Sequence, residues 1–140
     1  MTSTIARLLI DFGLVILIWM IQLMVYPSFK HFSNDELLKW HKKYTFRIAC
    51  MVIPLMLVQL FIYGYQVLKF QTTYHILGIG IVLLIWVITL LKFVPIHTEI
   101  LNNTHTSKTL TKLVRKNWDR TGLWTVLLIL SILEFVYRTH

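Results

Sequence analysis

Side chains able to bind polar groups or transfer protons recur near the ends of the apolar stretches in this 140-residue chain. His41 and Tyr44 are three residues apart, so they share one face of a helix. A second stripe, at helical positions i, i+3, i+4 and i+7, contains Asn117, Arg120, Thr121 and Trp124. An imidazole exchanges protons near neutral pH, and a guanidinium binds carbonyl or anionic groups. These two stripes predict a polar-aromatic pocket.

Further polar residues lie at the same ends of the apolar stretches. His97 follows the third stretch, and Arg47 lies one turn beyond Tyr44. The residues that we expect to bind a substrate in the pocket are Tyr26, Tyr44, Arg47, Asn117, Trp118, Thr121 and Trp124. The alternative is the belt of aromatic and cationic residues found at membrane interfaces, which accounts best for Trp40, Trp118 and the lysines.

Four apolar stretches must position these side chains. They cover residues 8–26, 45–68, 74–93 and 121–137, each close to the roughly 20 residues that cross a bilayer as a helix. With 56% hydrophobic and 14% charged residues, a soluble domain of this size would expose too much apolar surface. We therefore predict an all-α bundle of four transmembrane helices, forming one domain over residues 1–140, multi-pass in the cell membrane with the lipid bilayer around it.

The basic residues predict the orientation of this bundle. Arg7, Lys69 and Arg138 flank the helix ends on the side of both termini. The opposite side holds or borders eleven others: Lys30, Lys39, Lys42, Lys43, Arg47, Lys92, Lys108, Lys112, Arg115, Lys116 and Arg120. By the positive-inside rule that side is cytoplasmic, which leaves both termini on the non-cytoplasmic side. The net charge of +8 then indicates contact with anionic lipids and no nucleic acid partner.

Several residues predict where helices begin, end or bend. Ser33 and Glu36 have the spacing of a capping box, so a helix should begin there. Ser107 or Thr109 is expected to cap the last helix. Pro27 and Pro95 are expected to end the first and third spans, and Pro54 to kink the second, since proline removes a helical hydrogen bond.

Few polar residues fall within the spans. Gln22 and Gln59 are expected to form hydrogen bonds between helices. Asp11 and Glu134 are expected to lie near enough to the terminal side to reach water, Arg7 or Arg138. The glycines expected to let helices approach closely are Gly64, Gly78 and Gly80.

No motif predicts a metal site. Cys50 is the single cysteine, and the chain has no HExxH, CxxC or paired carboxylate–histidine motif. The nearest approach to a local ligand cluster is His97, Glu99 and His105. A haem held by two histidines is disfavoured, because His75 lies at the opposite end of the bundle from His41 and His97. The sequence leaves the identity of any cofactor open.

Short motifs give the chain a family resemblance. It resembles small four-helix bacterial membrane proteins of unassigned function and, more distantly, is similar to the anthrone-oxygenase-like family. The motifs are Tyr26-Pro27-Ser28-Phe29, His41-Lys42-Lys43-Tyr44 with Arg47, Pro54-Leu55-Met56, Pro95-Ile96-His97 and Asn117-Trp118-Asp119-Arg120-Thr121. The resemblance implies a bundle that binds a flat lipophilic substrate and oxidises it with dioxygen without a bound cofactor. It also implies pocket roles for His97, Trp118 and Arg120, with His41 as a base, so the catalytic candidates are His41, His97 and Arg120.

Three functions follow as hypotheses. The first is a protein that binds a small lipophilic molecule in a polar-aromatic pocket at the cytoplasmic interface and, if it is an enzyme, oxidises it. This hypothesis predicts that His41, His97 and Arg120 converge on one cavity. The second is a non-catalytic assembly subunit that binds another membrane protein or forms a homo-oligomer. It predicts no enclosed cavity and an exposed small-residue face around Gly78 and Gly80. The third is a small transporter, for which the kink expected at Pro54 is the only support.

Overall fold

The computed structural model describes the backbone of residues 2–139 and the side chains of residues 2–137. Its helices, in chain order, are α1 (Thr2–Met20), α2 (Tyr26–Ser28), α3 (Asn34–Phe70), α4 (Thr73–Ile88), α5 (Val94–Leu101) and α6 (Ser107–Thr139). No β-strand occurs in the described part of the chain, so the all-α prediction is confirmed. The expected contact with the Arg138 side chain lies outside the described residues.

These helices form four spans that are long and apolar enough to cross a bilayer: Thr2–His31, Asn34–Phe70, Thr73–Leu101 and Ser107–Tyr137. We call them the first to fourth spans. They include the four predicted stretches and extend beyond them, because helical structure continues into the polar residues at their ends. The "terminal end" of the bundle holds the first described residues of α1, the last of α6 and the turn at residues 71–72. The "loop end" holds the connections at residues 32–33 and 102–106.

The spans pack in a ring. The first packs mainly against the second and fourth, and the third against the same two neighbours. Large apolar side chains cover the outside, and Phe61, Leu68 and Leu91 are 73%, 80% and 72% exposed. Polar side chains such as Asp11 and Gln59 lie inside. This distribution, polar within and apolar outside, suits a hydrocarbon environment.

Two π-helical turns continue the first and third spans past their prolines. The N–H of Tyr26, directly before Pro27, donates to the carbonyl of Ile21, five residues back. The N–H of Val94, directly before Pro95, donates in the same way to Thr89. The expectation that these prolines end the spans is therefore wrong, since the wider turn accommodates the missing donor and the helix goes on. Single π turns of this kind are frequent at functional sites.

The caps are partly as predicted. Ser33 and Glu36 form the expected capping box at the start of α3. This helix continues through Pro54 to Phe70 without a break. At the start of α6, Ser107 is already helical, and Thr106 takes the capping position that we expected at Ser107 or Thr109. The Thr109 N–H donates to Thr106 Oγ1 (3.4 Å), and the Thr106 N–H donates to Thr109 Oγ1 (3.2 Å).

Candidate functional site

A chain of polar contacts at the loop end joins one residue from each span. Arg120 Nη2 donates to the Tyr26 hydroxyl at 3.4 Å. That hydroxyl lies 3.2 Å from His97 Nε2. On the other side of the same ring, His97 Nδ1 lies 2.8 Å from His41 Nε2. The fourth, first, third and second spans thus meet in the order Arg120, Tyr26, His97, His41.

The π turns help to place the two central members of this chain. Tyr26 closes the first π turn, which adds a residue to one turn and so shifts the face on which later side chains lie. His97 follows the second π turn by one helical turn, in α5. The Tyr26 and His97 rings are 5.8 Å apart, and the His97 and His41 rings stack at 5.0 Å. The rings of Tyr26 and His97 are therefore held by packing as well as by hydrogen bonds.

Arg120 is a buried cation without an acidic partner. Its side chain is 6% exposed, and its Nε and Nη2 donate to Asn117 Oδ1 at 3.1 and 2.7 Å. Its guanidinium lies 3.7 Å from the ring centroid of Phe93. None of the ion pairs among the described side chains includes it. An amide dipole and an aromatic face only partly compensate a buried charge, so an anionic or strongly dipolar group would be stabilised beside it.

A cavity of about 160 Å³ lies next to this chain, and all four spans contribute to its wall. Most of the wall is apolar and includes Leu14, Ile18, Val52, Met56 and Phe93. Polar side chains also line it: Tyr26, Tyr44, Thr45, Thr89, His97 and Arg120. The Tyr44 hydroxyl is buried and has no hydrogen-bond partner among the described residues. A buried, unpaired hydroxyl is costly and is available to bind a ligand atom.

Five of the predicted site residues lie at this cavity: Tyr26, Tyr44, His97, Arg120 and Trp124. His41 does not line the cavity itself, but it lies behind two residues that do, His97 and Thr45. Asn117 and Thr121 are buried, but they bind the Gln22 side chain instead, at 2.9 and 3.5 Å. Gln22 is thus the interhelical hydrogen-bonding residue that was predicted.

Arg47 and Trp118 are corrections, because the structure places both on the outer surface. Arg47 is exposed, and six residues after His41 it lies about 120° away from His41 around the helix. Trp118 is 47% exposed and packs edge-on against Trp19, with 5.5 Å between ring centroids. It follows Asn117 directly and so points about 100° away from the buried stripe. Both positions fit the interfacial belt described above.

A second polar network, at the terminal end, was largely missed. Its centre is Asp11, which is fully buried and accepts hydrogen bonds from Gln59 Nε2 and the Tyr63 hydroxyl, both at 2.7 Å, and from Ser131. The expectation that Asp11 reaches water is therefore wrong, because three protein donors replace water there. Gln59 is the predicted interhelical hydrogen-bonding residue.

The same network continues towards the chain termini. Arg7 pairs with Glu134 and donates to Gln66 Oε1 at 2.9 Å. His75 Nε2 lies 3.1 Å from Glu134 Oε1. Glu134 is 3% exposed and pairs with Arg7, one of the alternatives that were expected for it. The helical spacing of Arg7 with Asp11, and of Gln59, Tyr63 and Gln66, is the sequence signal that could have revealed this face.

Trp124 separates the two regions. Its ring lines the cavity, and its Nε1 donates to Gln59 Oε1 at 3.2 Å, while Gln59 also donates to Asp11. The terminal-end network therefore fixes one wall of the cavity. In the described part of the chain, no three side chains of His, Cys, Asp or Glu come together as a metal site would need.

Comparisons of the chain with protein-family models, curated proteins and solved structures found no match. The resemblance described above stays a prediction.

Proposed function

We propose that this protein is a multi-pass protein of the cell membrane that binds a small lipophilic molecule in the cavity beside Arg120. One observation carries the proposal. The apolar cavity adjoins two polar side chains that are not fully compensated, the Arg120 guanidinium and the unpaired Tyr44 hydroxyl. Apolar walls favour a lipophilic body, and a few well-placed polar groups orient it, which is the usual design of small-molecule sites.

The polar groups of the wall indicate which ligand group would bind. Arg120 can only donate hydrogen bonds, and the Tyr44 hydroxyl has a free proton to donate. A carbonyl oxygen or a phenolate oxygen accepts from both kinds of donor, and such an oxygen would also offset the buried guanidinium charge. The ligand is therefore a lipophilic molecule with an oxygen acceptor at one edge.

The catalytic form of this proposal is oxidation of the ligand by dioxygen, as the family resemblance implies. A C–H group beside a carbonyl loses its proton to a base, the carbanion reacts with dioxygen, and loss of water leaves a new carbonyl. In this overall reaction a CH2 group and O2 give C=O and H2O. Tyr26 would receive the proton while its own proton passes to His97 and then on to His41, since the three side chains are joined by contacts of 3.2 and 2.8 Å.

We propose the orientation in which the loop end is cytoplasmic and both termini are outside. The support is the charge distribution, since the exposed lysines Lys30, Lys39, Lys42 and Lys43 lie at the loop end. The cavity would then lie on the cytoplasmic side of the network around Asp11.

The two alternative functions have less support. Of the exposed small-residue face expected for an assembly subunit, Gly80 is exposed but Gly78 is covered by the Tyr63 ring. A cavity lined by all four spans is a further point against that function. The only support for a transporter was the kink expected at Pro54, and α3 continues through that residue without a break. Binding of a lipophilic ligand remains the function that the geometry favours.

The test is recovery of the bound molecule. The protein purified in mild detergent would be analysed by native mass spectrometry, and organic extracts by liquid chromatography. Tyr44→Phe removes only the unpaired hydroxyl and should lower ligand occupancy at least threefold, whereas the control Tyr65→Phe alters an exposed hydroxyl on the same helix and should leave it unchanged.

Filling the cavity gives an independent variant. Ala49 lines the cavity and Cys50 beside it is exposed, so Ala49→Leu should abolish occupancy while Cys50→Leu retains it. A wild-type protein that carries no small molecule and takes up none would contradict the proposal. That outcome would favour the assembly-subunit alternative.

A further inference from the structure

We infer that the ligand reaches this cavity sideways from the bilayer, through an opening between the second and third spans flanked by Ile53 and Val94. The inference rests on the proposed function and adds the route and the class of ligand. A ring bearing one oxygen acceptor occupies the cavity, and an alkyl tail on that ring extends through the opening into the lipid.

The loop end of the cavity is closed. The side chains of Arg120, Tyr26 and His97 cross the bundle there in one connected chain. A tightly packed apolar cluster extends from this chain towards the loop end, with its members 0–2% exposed: Phe29, Leu37, Phe93, Ile96, Ile100 and Leu113. A molecule arriving from the aqueous phase at that end would have to disrupt this packing.

The terminal end of the cavity is closed as well. Trp124 forms the wall and is held by its hydrogen bond to Gln59. Beyond it, Asp11 binds Gln59 and Tyr63, and the Tyr63 ring packs directly against Gly78. This end is filled by hydrogen-bonded side chains from the first, second and fourth spans and by the contact with Gly78 of the third, so it offers no passage.

The side of the bundle between the second and third spans is different. Ile53 and Val94 both line the cavity, yet they are 48% and 52% exposed, whereas the other lining residues are buried or half-buried. The two residues belong to neighbouring spans, and each precedes a proline, Pro54 or Pro95. Their outer surface is apolar and faces the hydrocarbon that surrounds the bundle. The cavity therefore communicates with the bilayer.

The size of the cavity limits the ligand. About 160 Å³ is close to the roughly 150 Å³ of an apolar cavity that accommodates benzene in another protein. One six-membered ring fits, and its oxygen would lie near the Tyr44 hydroxyl and Arg120. Any longer substituent must pass between Ile53 and Val94. A molecule with an alkyl tail also concentrates in the bilayer, from which it would diffuse in.

The experiment measures how fast 4-decylphenol binds the full-length protein in phosphatidylcholine vesicles. Binding is followed by stopped-flow tryptophan fluorescence with 2-bromo-4-decylphenol, because bromine quenches a nearby indole. The Trp124→Phe variant identifies the part of the signal that arises at the cavity wall. Equilibrium binding of radiolabelled 4-decylphenol gives the affinity separately.

The variants enlarge or reduce the two flanking side chains. Ile53→Phe with Val94→Phe should slow association at least tenfold, and Ile53→Ala with Val94→Ala should accelerate it. The matched control is Leu57→Phe with Leu91→Phe, two exposed residues on the same spans that do not line the cavity, and it should leave the rate unchanged. Melting temperatures of all variants report whether they fold.

Each outcome is decisive. Association rates that stay equal in the enlarged, reduced and control variants, with binding retained, would overturn the lateral route and leave the proposed function standing. If the wild-type protein binds neither phenol, the proposed function fails and this inference fails with it.

The length of the tail tests where it lies. The affinities of phenols with hexyl and decyl tails should agree within twofold at equal concentration in the membrane. A tenfold preference for one tail would place the tail inside the protein and overturn that part of the inference.

Discussion

The ring of Tyr63 lies directly against Gly78, so close that a methyl group added at Gly78 would be 2.8 Å from Tyr63 Cδ1 and nearer still to Cε1. The ring cannot easily yield, because its hydroxyl is held by Asp11 at 2.7 Å. Close contact between the second and third spans and hydrogen bonding to the first span therefore depend on the same side chain.

Gly78→Ala should thus destabilise the bundle by about 1–3 kcal/mol, the usual cost of overpacking a filled interior. Gly80 is the matched control, since a methyl group there meets no atom within 4 Å. Gly80→Ala should be neutral or stabilising by at most about 1 kcal/mol through its helix propensity. Unfolding in dodecyl sulfate, followed by circular dichroism, measures both. Equal stabilities of the two variants would contradict the packing described here.

Asp11 should be among the most sensitive positions in the chain. In Asp11→Asn an amide group would face hydroxyl and amide donors, so at least one buried donor loses its acceptor. We expect a loss of about 3 kcal/mol. Asp119→Asn is the control, because Asp119 is 47% exposed and 3.7 Å from Lys92 and so should change stability by less than about 1 kcal/mol. The same denaturation assay applies, and a tolerant Asp11 would show that the network is not formed.

Arg7 and Glu134 form a buried ion pair that should behave as one unit. Arg7→Met or Glu134→Leu alone removes one charge of the pair and leaves the other buried, which should cost about 3–5 kcal/mol. The double variant removes both charges and should be more stable than either single variant. A double-mutant cycle gives the coupling energy. Additive effects of the two substitutions would mean that the pair is not coupled.

The sequence predicts the spans better than it predicts how their faces meet. Apolar stretches and the Ser33–Glu36 box gave the correct helices because these signals are local. The position of Asp11 depends on donors from the second and fourth spans, and no pattern within one helix specifies which neighbouring face it meets. The convergence of His97 and Arg120 could be predicted, because both lie at the same end of their spans. The missing hydrogen-bond partner of Tyr44 could not, because it depends on which side chains the neighbouring spans present.

The proposed orientation predicts which loop is accessible from which side. In a Cys50→Ser background, a cysteine at Asn102 should be labelled by a membrane-impermeant maleimide only after cells are lysed. A cysteine at Thr73, directly after the turn at the opposite end, should be labelled in intact spheroplasts. Both positions are exposed. The reverse labelling pattern would place the termini in the cytoplasm.

Glycosylation gives a second test of the same orientation. The native sequon Asn102-Asn103-Thr104 should stay unglycosylated in a secretory-pathway host.

The contact between His41 and His97 predicts a spectroscopic signature that packing alone would not give. In this 2.8 Å contact one of the two nitrogens, His97 Nδ1 or His41 Nε2, carries the hydrogen and the other accepts it. Each imidazole should therefore populate a single tautomer. ¹⁵N NMR of histidine-labelled protein in detergent should show this for both residues. His41→Phe preserves an aromatic ring but removes the hydrogen bond, and it should shift the His97 Nδ1 resonance by several ppm.

His31→Phe provides the control, because His31 is exposed and lies outside the contact. It should leave the His97 resonances unchanged. A His97 spectrum that does not respond to His41→Phe would show that the two histidines are not hydrogen-bonded. The proposed route for the proton from Tyr26 to His41 would then be excluded. Ligand occupancy that survives His41→Phe would then assign the cavity to binding, since His41 does not itself line the cavity.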